Sequence, residues 1–560
     1  MKSMALKNTA VLIIFIFYQI PIAREQSQAE GHESEAFKAT LRFYSSGTKI
    51  LINVNEISFE KLSFSLKKFK EQDVVLKSDN LTFNNLTLGL NDPKSSMYCV
   101  KTVSYNLDSS DSYVSYSEII IEFNEKPTTL KGLFAYSQAD TITLLNFRTE
   151  SVQSMEFMFL NCKSLTQLNL NPYGKWDTSN VINMRSMFYN CTSLTELSTQ
   201  GWDTSNVEDM GYMFYNCAKL TELSTQGWDT SNVEDMGYMF YNCANLTNLE
   251  IQNWDTSKVE DMGYMFYNCA NLNQLSVKGW NTSNVKNMFS MFYSCTALTQ
   301  LDVYYWDTSK VTSMYSMFDN CIQLSLLYVS KWDVSKVTNM FSMFNNCLEL
   351  KQLDVSNWNV SKVTDMYNMF NNCTSLQQLD VSNWDVSKVT NMFSMFNNCT
   401  VLTQLNVSNW DVSSVKNMYY MFNNCTSLQQ LDVSNWYTSM ITSIGFMFNN
   451  CQNLTKLDLS KWKTSFVTNM EFIFNNCTAL TQLEVSNFDT INVTNMEFMF
   501  NNCSSLTQLN VSNWDVSNVK EMRFMFCNCT KLALLDVSNW DTSKVINMEY
   551  MFLIVQNYLY

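Results

Sequence analysis

A 26-residue sequence repeats without interruption along most of this chain and limits the folds that the chain can adopt. Tryptophan recurs every 26 residues from Trp176 to Trp540, with Phe488 in the one exceptional place, and all 14 tryptophans belong to this series. Fifteen of the 17 cysteines likewise share one place in the repeat. A fixed period of roughly 20 to 50 residues is typical of a solenoid, in which each turn stacks on the next. We number the repeat from position 1, the tryptophan, to position 26.

One turn of the repeat combines two apolar patterns. Residues 503–511 follow the pattern Cys-x-x-Leu-x-x-Leu-x-Val, which resembles the strand segment of a leucine-rich repeat, where alternate side chains point into the core. Residues 519–526 place Val, Met and Met-Phe three residues apart, which predicts a short 3₁₀- or α-helical turn with one apolar edge. The sequence therefore predicts a leucine-rich-repeat-like solenoid of about 16 turns, each with one short strand and one short helical turn.

The first 29 residues have the features of a secretory signal peptide. Lys2 and Lys7 precede an apolar run over residues 10–18, which is too short to span a bilayer. We expect cleavage after Ala23 or after Ala29, and an uncleaved anchor is the alternative. No later stretch is long and apolar enough to cross a membrane. The mature chain is therefore predicted to have no membrane span and to be secreted or displayed on the cell surface.

The remaining chain divides into two regions. Residues 30–129 do not repeat, and alternating apolar residues at 49–54 and 117–123 predict a small β-rich region that caps the first turn. The solenoid is expected over residues 130–560. Val555 occupies the cysteine position of the last turn, which is incomplete. Exposed solenoid ends tend to associate, so end-to-end self-association is a further expectation.

Composition excludes several classes of function. The net charge is −15 and the isoelectric point is near 4.7, so nucleic acid is not an expected partner. The only histidine is His32, which removes histidine-based catalytic triads and histidine metal sites. Catalysis requires a unique set of groups, whereas every turn presents nearly the same ones. We therefore predict no enzyme activity, no catalytic residues, no metal site and no cofactor.

Two repeated polar or reactive positions have structural interpretations. Cysteines of neighbouring turns lie within the range of disulfide formation, or they remain reduced core residues, since a leucine follows three residues later. Their spacing excludes a zinc site. The asparagines at position 15, such as Asn372 and Asn398, are expected to bond along the stack and to adopt a left-handed backbone conformation.

Two rows of side chains are candidate binding faces. The acidic row occupies position 23, and its members are Glu250, Asp302, Asp354, Asp380, Asp432, Asp458, Glu484 and Asp536. It faces a basic partner, or it is simply a solvated face. The tyrosine row occupies position 14, and its members are Tyr189, Tyr215, Tyr241, Tyr267 and Tyr293. Amphipathic tyrosines suit contacts with protein or glycan, although divergence between the halves of the array is an equal explanation.

The complete repeat, Trp-Asp-Thr-Ser-Asn-Val-x-x-Met-x-x-Met-Phe-x-Asn-Cys-x-x-Leu-x-x-Leu, resembles that of BspA-like leucine-rich-repeat surface proteins over residues 130–560. The resemblance implies a secreted or surface-displayed protein without catalytic residues, which adheres to host or matrix proteins. The first hypothesis is thus an extracellular binding protein for a protein or glycan. A self-assembling structural coat is the alternative, and a polysaccharide-cleaving solenoid enzyme is the least favoured hypothesis.

Overall fold

The computed structural model describes seven N-terminal strands and residues 128–137, 140–145, 149–170 and 176–555. The predicted signal peptide lies outside the described residues, as does the rest of the N-terminal region. The N-terminal strands are β1 Phe37–Tyr44, β2 Ile52–Val54, β3 Leu76–Lys77, β4 Asn80–Leu81, β5 Thr87–Leu90, β6 Tyr98–Tyr105 and β7 Tyr116–Phe123.

The N-terminal strands join the solenoid through one mixed sheet. Strands β8 (Thr141–Leu145) and β9 (Gln167–Leu170) belong to the first turns of the solenoid and pair in parallel. Strand β1 pairs antiparallel with β8 on one side and with β7 on the other, which gives the order β6-β7-β1-β8-β9. Strand β1 therefore covers the outer edge of the first solenoid strand at residues 143–145.

Most later turns contribute one very short strand to a parallel ladder with partners 26 residues apart. Turns between residues 352 and 430 contribute isolated bridges at the same place. A second ladder of isolated bridges runs through position 8, for example from Asn391 to Asn417. The strands are β10 Glu196–Leu197, β11 Glu222–Leu223, β12 Asn248–Leu249, β13 Gln274–Leu275, β14 Gln300–Leu301, β15 Leu326–Leu327, β16 Lys456–Asp458, β17 Gln482–Glu484, β18 Gln508–Leu509 and β19 Leu534–Leu535.

The apolar positions of the repeat form one continuous core. In the turn that begins at Trp384, every core side chain is between 0 and 4% exposed. Tryptophan rings of adjacent turns stack with centroids 5.9–6.4 Å apart. The phenylalanines at position 13 stack at 5.2–5.8 Å. The predicted solenoid is confirmed, and its core consists of columns of identical side chains.

The predicted helical turn is wrong. Residues 393–398, at positions 10–15, form a series of turns, and Ser394 and Asn398 have φ of +52° and +61°. The N–H groups of both residues donate to carbonyls of the next turn, at 2.9 and 2.8 Å, while the intervening Asn397 donates to Ser394 within its own turn. Left-handed residues interrupt a helix, and inter-turn bonds replace the helical ones. The predicted left-handed conformation of the position-15 asparagines is confirmed.

Candidate functional site

All eight members of the acidic row are exposed, and most of them also stabilise a turn. The Oδ1 atom of Asp380 accepts hydrogen bonds from the N–H of Ser382 at 3.0 Å and from its hydroxyl at 2.7 Å. Equivalent bonds recur at Asp354, Asp432 and Asp536. These hydrogen bonds lower the pKa of Asp380, so the carboxylate stays ionised. The row is therefore a set of fixed charges with a local structural role.

The tyrosine row forms a stacked column at one corner of the solenoid. Its five rings lie half-buried, with neighbouring centroids 4.4–4.5 Å apart and ring planes within 5° of parallel. A second column at position 11, formed by Tyr212, Tyr238 and Tyr264, stacks beside it at 4.4–4.6 Å. Rings of the two columns lie 5.6–6.4 Å apart. We call these eight side chains the tyrosine face.

Local backbone geometry brings the second column to the surface beside the first. Tyr212 and Tyr238 both have φ of +59°, in the left-handed region. Position 10 of these turns is glycine, and a Cβ atom at Gly237 would lie 3.2 Å from Oδ1 of Asp235 and 3.3 Å from Oδ1 of Asp261. Glycine therefore lets the carboxylates of position 8 approach the backbone. The glycine-tyrosine pair at positions 10 and 11 is the sequence signal for the second column.

Neighbouring rings cover most of each ring face, so the exposed part of these half-buried side chains lies mainly at the ring edges, and the hydroxyl of Tyr264 bonds to that of Tyr315 at 2.7 Å. Burial, and interactions with the tyrosines of adjacent turns, raise the pKa of Tyr215 and Tyr267. Burial also raises the pKa of Tyr238. These phenols therefore remain protonated and act as hydrogen-bond donors and acceptors. The column does not offer open ring faces for stacking on a sugar, except at its ends.

Charged side chains border the tyrosine face. Asp209 and Asp235 accept ion pairs from Nη1 of Arg185 at 3.3 and 2.7 Å, and the guanidinium lies 4.8 Å from the ring centroid of Tyr212. Residues 189–293, which span the tyrosine face, contain twelve acidic side chains and four lysines, which account for eight of the chain's 15 net negative charges. The exposed members at position 7 are Glu208, Glu234 and Glu260. The tyrosine face thus lies in a strongly acidic segment.

The column at position 14 changes chemistry after Tyr293. Asp319 follows, and then asparagines occupy the position from Asn345 to Asn501. Their Nδ2 atoms donate to Oδ1 of the preceding turn at 2.6–2.7 Å. A parallel amide ladder runs through position 15, as predicted, and an open groove of about 330 Å³ lies between the two ladders. The amides bond mainly to one another, which indicates a structural role.

The cysteines of the solenoid are free and buried. The thiol of Cys399 donates to the carbonyl oxygen of Phe370 in the preceding turn at 3.2 Å, and this contact recurs along the column at 3.0–3.2 Å. Burial raises the pKa of Cys399 well above its ordinary value. The reduced alternative therefore describes this structure. In the described part of the chain, no three His, Cys, Asp or Glu side chains are placed to hold a metal ion.

The chain belongs to the family described as Mycoplasma protein of unknown function, DUF285. The family model matches residues 128–247, 219–326, 299–380, 377–482 and 447–558. One similar solved structure is the functional domain of InlJ from Listeria monocytogenes, which is described as including a cysteine ladder. That match has 14% sequence identity and a TM-score of 0.18, and it covers 66% of each chain, just under two thirds. No curated protein matches the chain.

None of the described residues forms a helix long and apolar enough to cross a membrane.

Proposed function

We propose that this chain is a non-catalytic binding protein of the cell surface or extracellular space, and that its tyrosine face binds a basic protein partner. The observation that carries the proposal is the pair of interleaved, half-exposed tyrosine columns inside the acidic segment. The signal-like residues 1–29 and the resemblance to BspA-like surface proteins support the location.

The tyrosine face suits protein recognition because its side chains are large, amphipathic and already ordered. Tyrosine is enriched at the energetically important centres of protein interfaces. Stacking fixes the rings before any partner arrives, so binding costs less side-chain entropy. Ring edges and hydroxyl groups match the backbone and polar side chains of a protein better than they match the flat face of a sugar. A protein partner is therefore favoured over a glycan.

The surrounding charge favours a partner that carries lysine or arginine. Carboxylates at position 8 border the tyrosine columns, and the acidic row lies along the strand ladder. A negative surface attracts a basic partner at long range and accelerates association. Arginine and lysine also interact favourably with tyrosine rings. Binding is therefore expected to weaken as the salt concentration rises.

Binding of the full-length chain to immobilised basic matrix proteins tests the proposal, at about 0.05 and 0.5 M NaCl. The main variant combines Tyr215→Asn, Tyr241→Asn and Tyr267→Asn, because asparagine occupies the same position in later turns without loss of the fold. We expect salt-sensitive binding by the native chain and at least a tenfold loss in this variant, with an unchanged melting temperature.

Two comparison variants locate the binding face. One combines Asp354→Lys, Asp380→Lys and Asp432→Lys in the acidic row, and we expect a smaller loss than in the tyrosine variant. The other places tyrosine at Asn397, Asn423 and Asn449, away from the acidic segment, and we expect no new binding. Loss confined to the acidic-row variant would move the site to that row. Absence of any binding would favour the structural coat.

A further inference from the structure

Four large apolar side chains are exposed together at one corner of the solenoid. Tyr437, Met440, Phe466 and Ile491 are 52%, 45%, 59% and 45% exposed and lie on three consecutive turns. We call these four side chains the corner patch. Together they expose on the order of 400 Å², comparable to the largest apolar patch of a typical monomer, which is often functional.

The corner patch interrupts positions that are polar in the other turns. Apart from Tyr437 and Lys463, position 2 is Asp or Asn, while position 4 is otherwise Ser and position 5 is otherwise Asn, Lys or Ser. Position 2 is occupied by Tyr437 and position 4 by Ile491 in their respective turns. Position 5 is occupied by Met440 in one turn and by Phe466 in the next. Four deviations on three adjacent turns converge on one surface, although the core of these turns keeps the common pattern.

The deviations remove hydrogen bonds that stabilise this corner elsewhere. In a regular turn, Oδ1 of Asp385 accepts the N–H of Ser387 at 3.1 Å. The side chain of Asn232 at position 5 donates to the carbonyl of Ser205 in the preceding turn at 2.6 Å. Tyrosine, methionine and phenylalanine cannot form these bonds. Loss of local stabilisation together with exposed apolar groups is expected at a functional surface rather than at a neutral one.

The charges beside the corner patch alternate in a self-complementary manner. Lys463 occupies position 2, where aspartate is usual, and Asp489 occupies the same position one turn later. Within residues 176–555, Lys463 has no ion-pair partner. Because the two residues lie one turn apart, a twofold axis between their turns would place each lysine opposite the aspartate of a second copy. An isologous interface requires this kind of arrangement.

We propose that the corner patch is a contact between two copies of this chain, arranged antiparallel about a twofold axis between the turns of Trp462 and Phe488. Phe466 of one copy packs on Ile491 of the other, and Lys463 pairs with Asp489 of the other. Tyr437 and Met440 extend the apolar contact at its rim. The net charge of −15 makes an anionic membrane a less suitable occupant than a second copy that matches the patch.

Sedimentation equilibrium of the full-length chain over a wide concentration range tests this proposal. We expect a monomer–dimer equilibrium and at least a tenfold weaker association for Phe466→Glu. The matched control is Lys336→Glu, which changes the same repeat position five turns away and leaves the equilibrium unchanged. Melting temperatures of both variants establish that the fold is retained.

A charge exchange provides the sharper test. Lys463→Asp alone and Asp489→Lys alone place like charges opposite each other and weaken association, whereas the double variant restores it. Failure of the double variant to restore association overturns the proposed arrangement. A chain that stays monomeric at all concentrations overturns the contact itself. If that monomer binds anionic vesicles and Phe466→Glu abolishes the binding, the patch contacts lipid instead.

Discussion

Asp319 is a buried carboxylate at the junction between the tyrosine and asparagine columns, and its replacement tests the energetics of position 14. Its side chain is 7% exposed. The Nδ2 atom of Asn345 donates to Oδ1 at 2.7 Å, and the hydroxyl of Ser316 donates to Oδ2 at 3.4 Å. Burial raises the pKa of Asp319 to about 6, because these two hydrogen bonds only partly offset the loss of hydration.

The sign of the effect follows from the raised pKa. The folded chain binds the proton of Asp319 more tightly than the unfolded chain, whose pKa is near 3.8. The stabilisation that protonation of Asp319 gives to the folded chain is complete below pH 3.8 and is lost as the pH rises through about 6. A shift of about two units corresponds to about 3 kcal/mol.

The change Asp319→Asn is therefore expected to stabilise the chain at neutral pH. An asparagine accepts the bond from Asn345 through Oδ1, donates to Ser316 through Nδ2, and extends the amide ladder by one turn. We expect a gain in the free energy of unfolding of up to about 3 kcal/mol at about pH 7.5, and little gain at about pH 4. Urea titrations of both chains at both pH values measure the free energy of unfolding. Subtracting the value of the native chain from that of the variant at each pH cancels the contribution of the other titrating groups.

The matched control, Asn371→Asp, places a carboxylate two turns further along the same column. It is expected to lose stability above about pH 6 by a similar mechanism. The reasoning is refuted if Asp319→Asn destabilises the chain at neutral pH. It is also refuted if Asp319→Asn changes the free energy of unfolding by the same amount at both pH values, because the gain would then not arise from ionisation.

Three further predictions concern the core. Trp384→Ala is expected to lower the free energy of unfolding by about 3–5 kcal/mol, and Trp540→Ala by much less, because Trp540 is only partly buried; equal losses in chemical denaturation would contradict the stacked core. The column cysteines are expected to resist alkylation in the native chain and to react fully after denaturation, which mass spectrometry measures; rapid native labelling would contradict their burial. Gly445→Ala is expected to destabilise the chain in thermal melts, because the added Cβ would lie 2.5 Å from Cε2 of Tyr419; an unchanged melting temperature would mean that this ring moves freely.

The stacked core was predictable because one period fixes one side chain at each buried position. The series of turns that replaces the predicted helical turn was not predictable, because it depends on left-handed residues at positions 11 and 15. Asparagine at position 15 provides a sequence signal for that conformation. Position 11 provides none: Ser394, Tyr420 and Phe446 all have positive φ there, between 52° and 60°. Bonds to the next turn hold these residues, and such bonds involve residues too distant for local sequence patterns to reveal.

The same limitation explains what was missed at the candidate site. The tyrosine row was predictable because its members share one position. The second column was not predicted, although the glycine-tyrosine pair at positions 10 and 11 is a signal for it, because the left-handed conformation of Tyr238 carries its ring beside Tyr241. The exposure of the acidic row was also predictable. Its role in a turn was not predicted, although the spacing Asp-x-Ser at Asp380 and Ser382 is a signal for it, since a short acidic side chain commonly accepts the N–H two residues later.

In an array with a uniform core, specific functions belong at the positions where surface residues depart from the repeat. The tyrosine face and the corner patch are two such departures, and they lie six turns apart between Trp280 and Trp436, or about 29 Å at 4.8 Å per turn. Turns of a solenoid contact mainly their neighbours, so a change at one surface leaves the other intact. A dimer formed through the corner patch would carry two tyrosine faces. Each weak contact with a repetitive partner would then be reinforced by a second contact within the same dimer, which increases the overall affinity without any new contact surface.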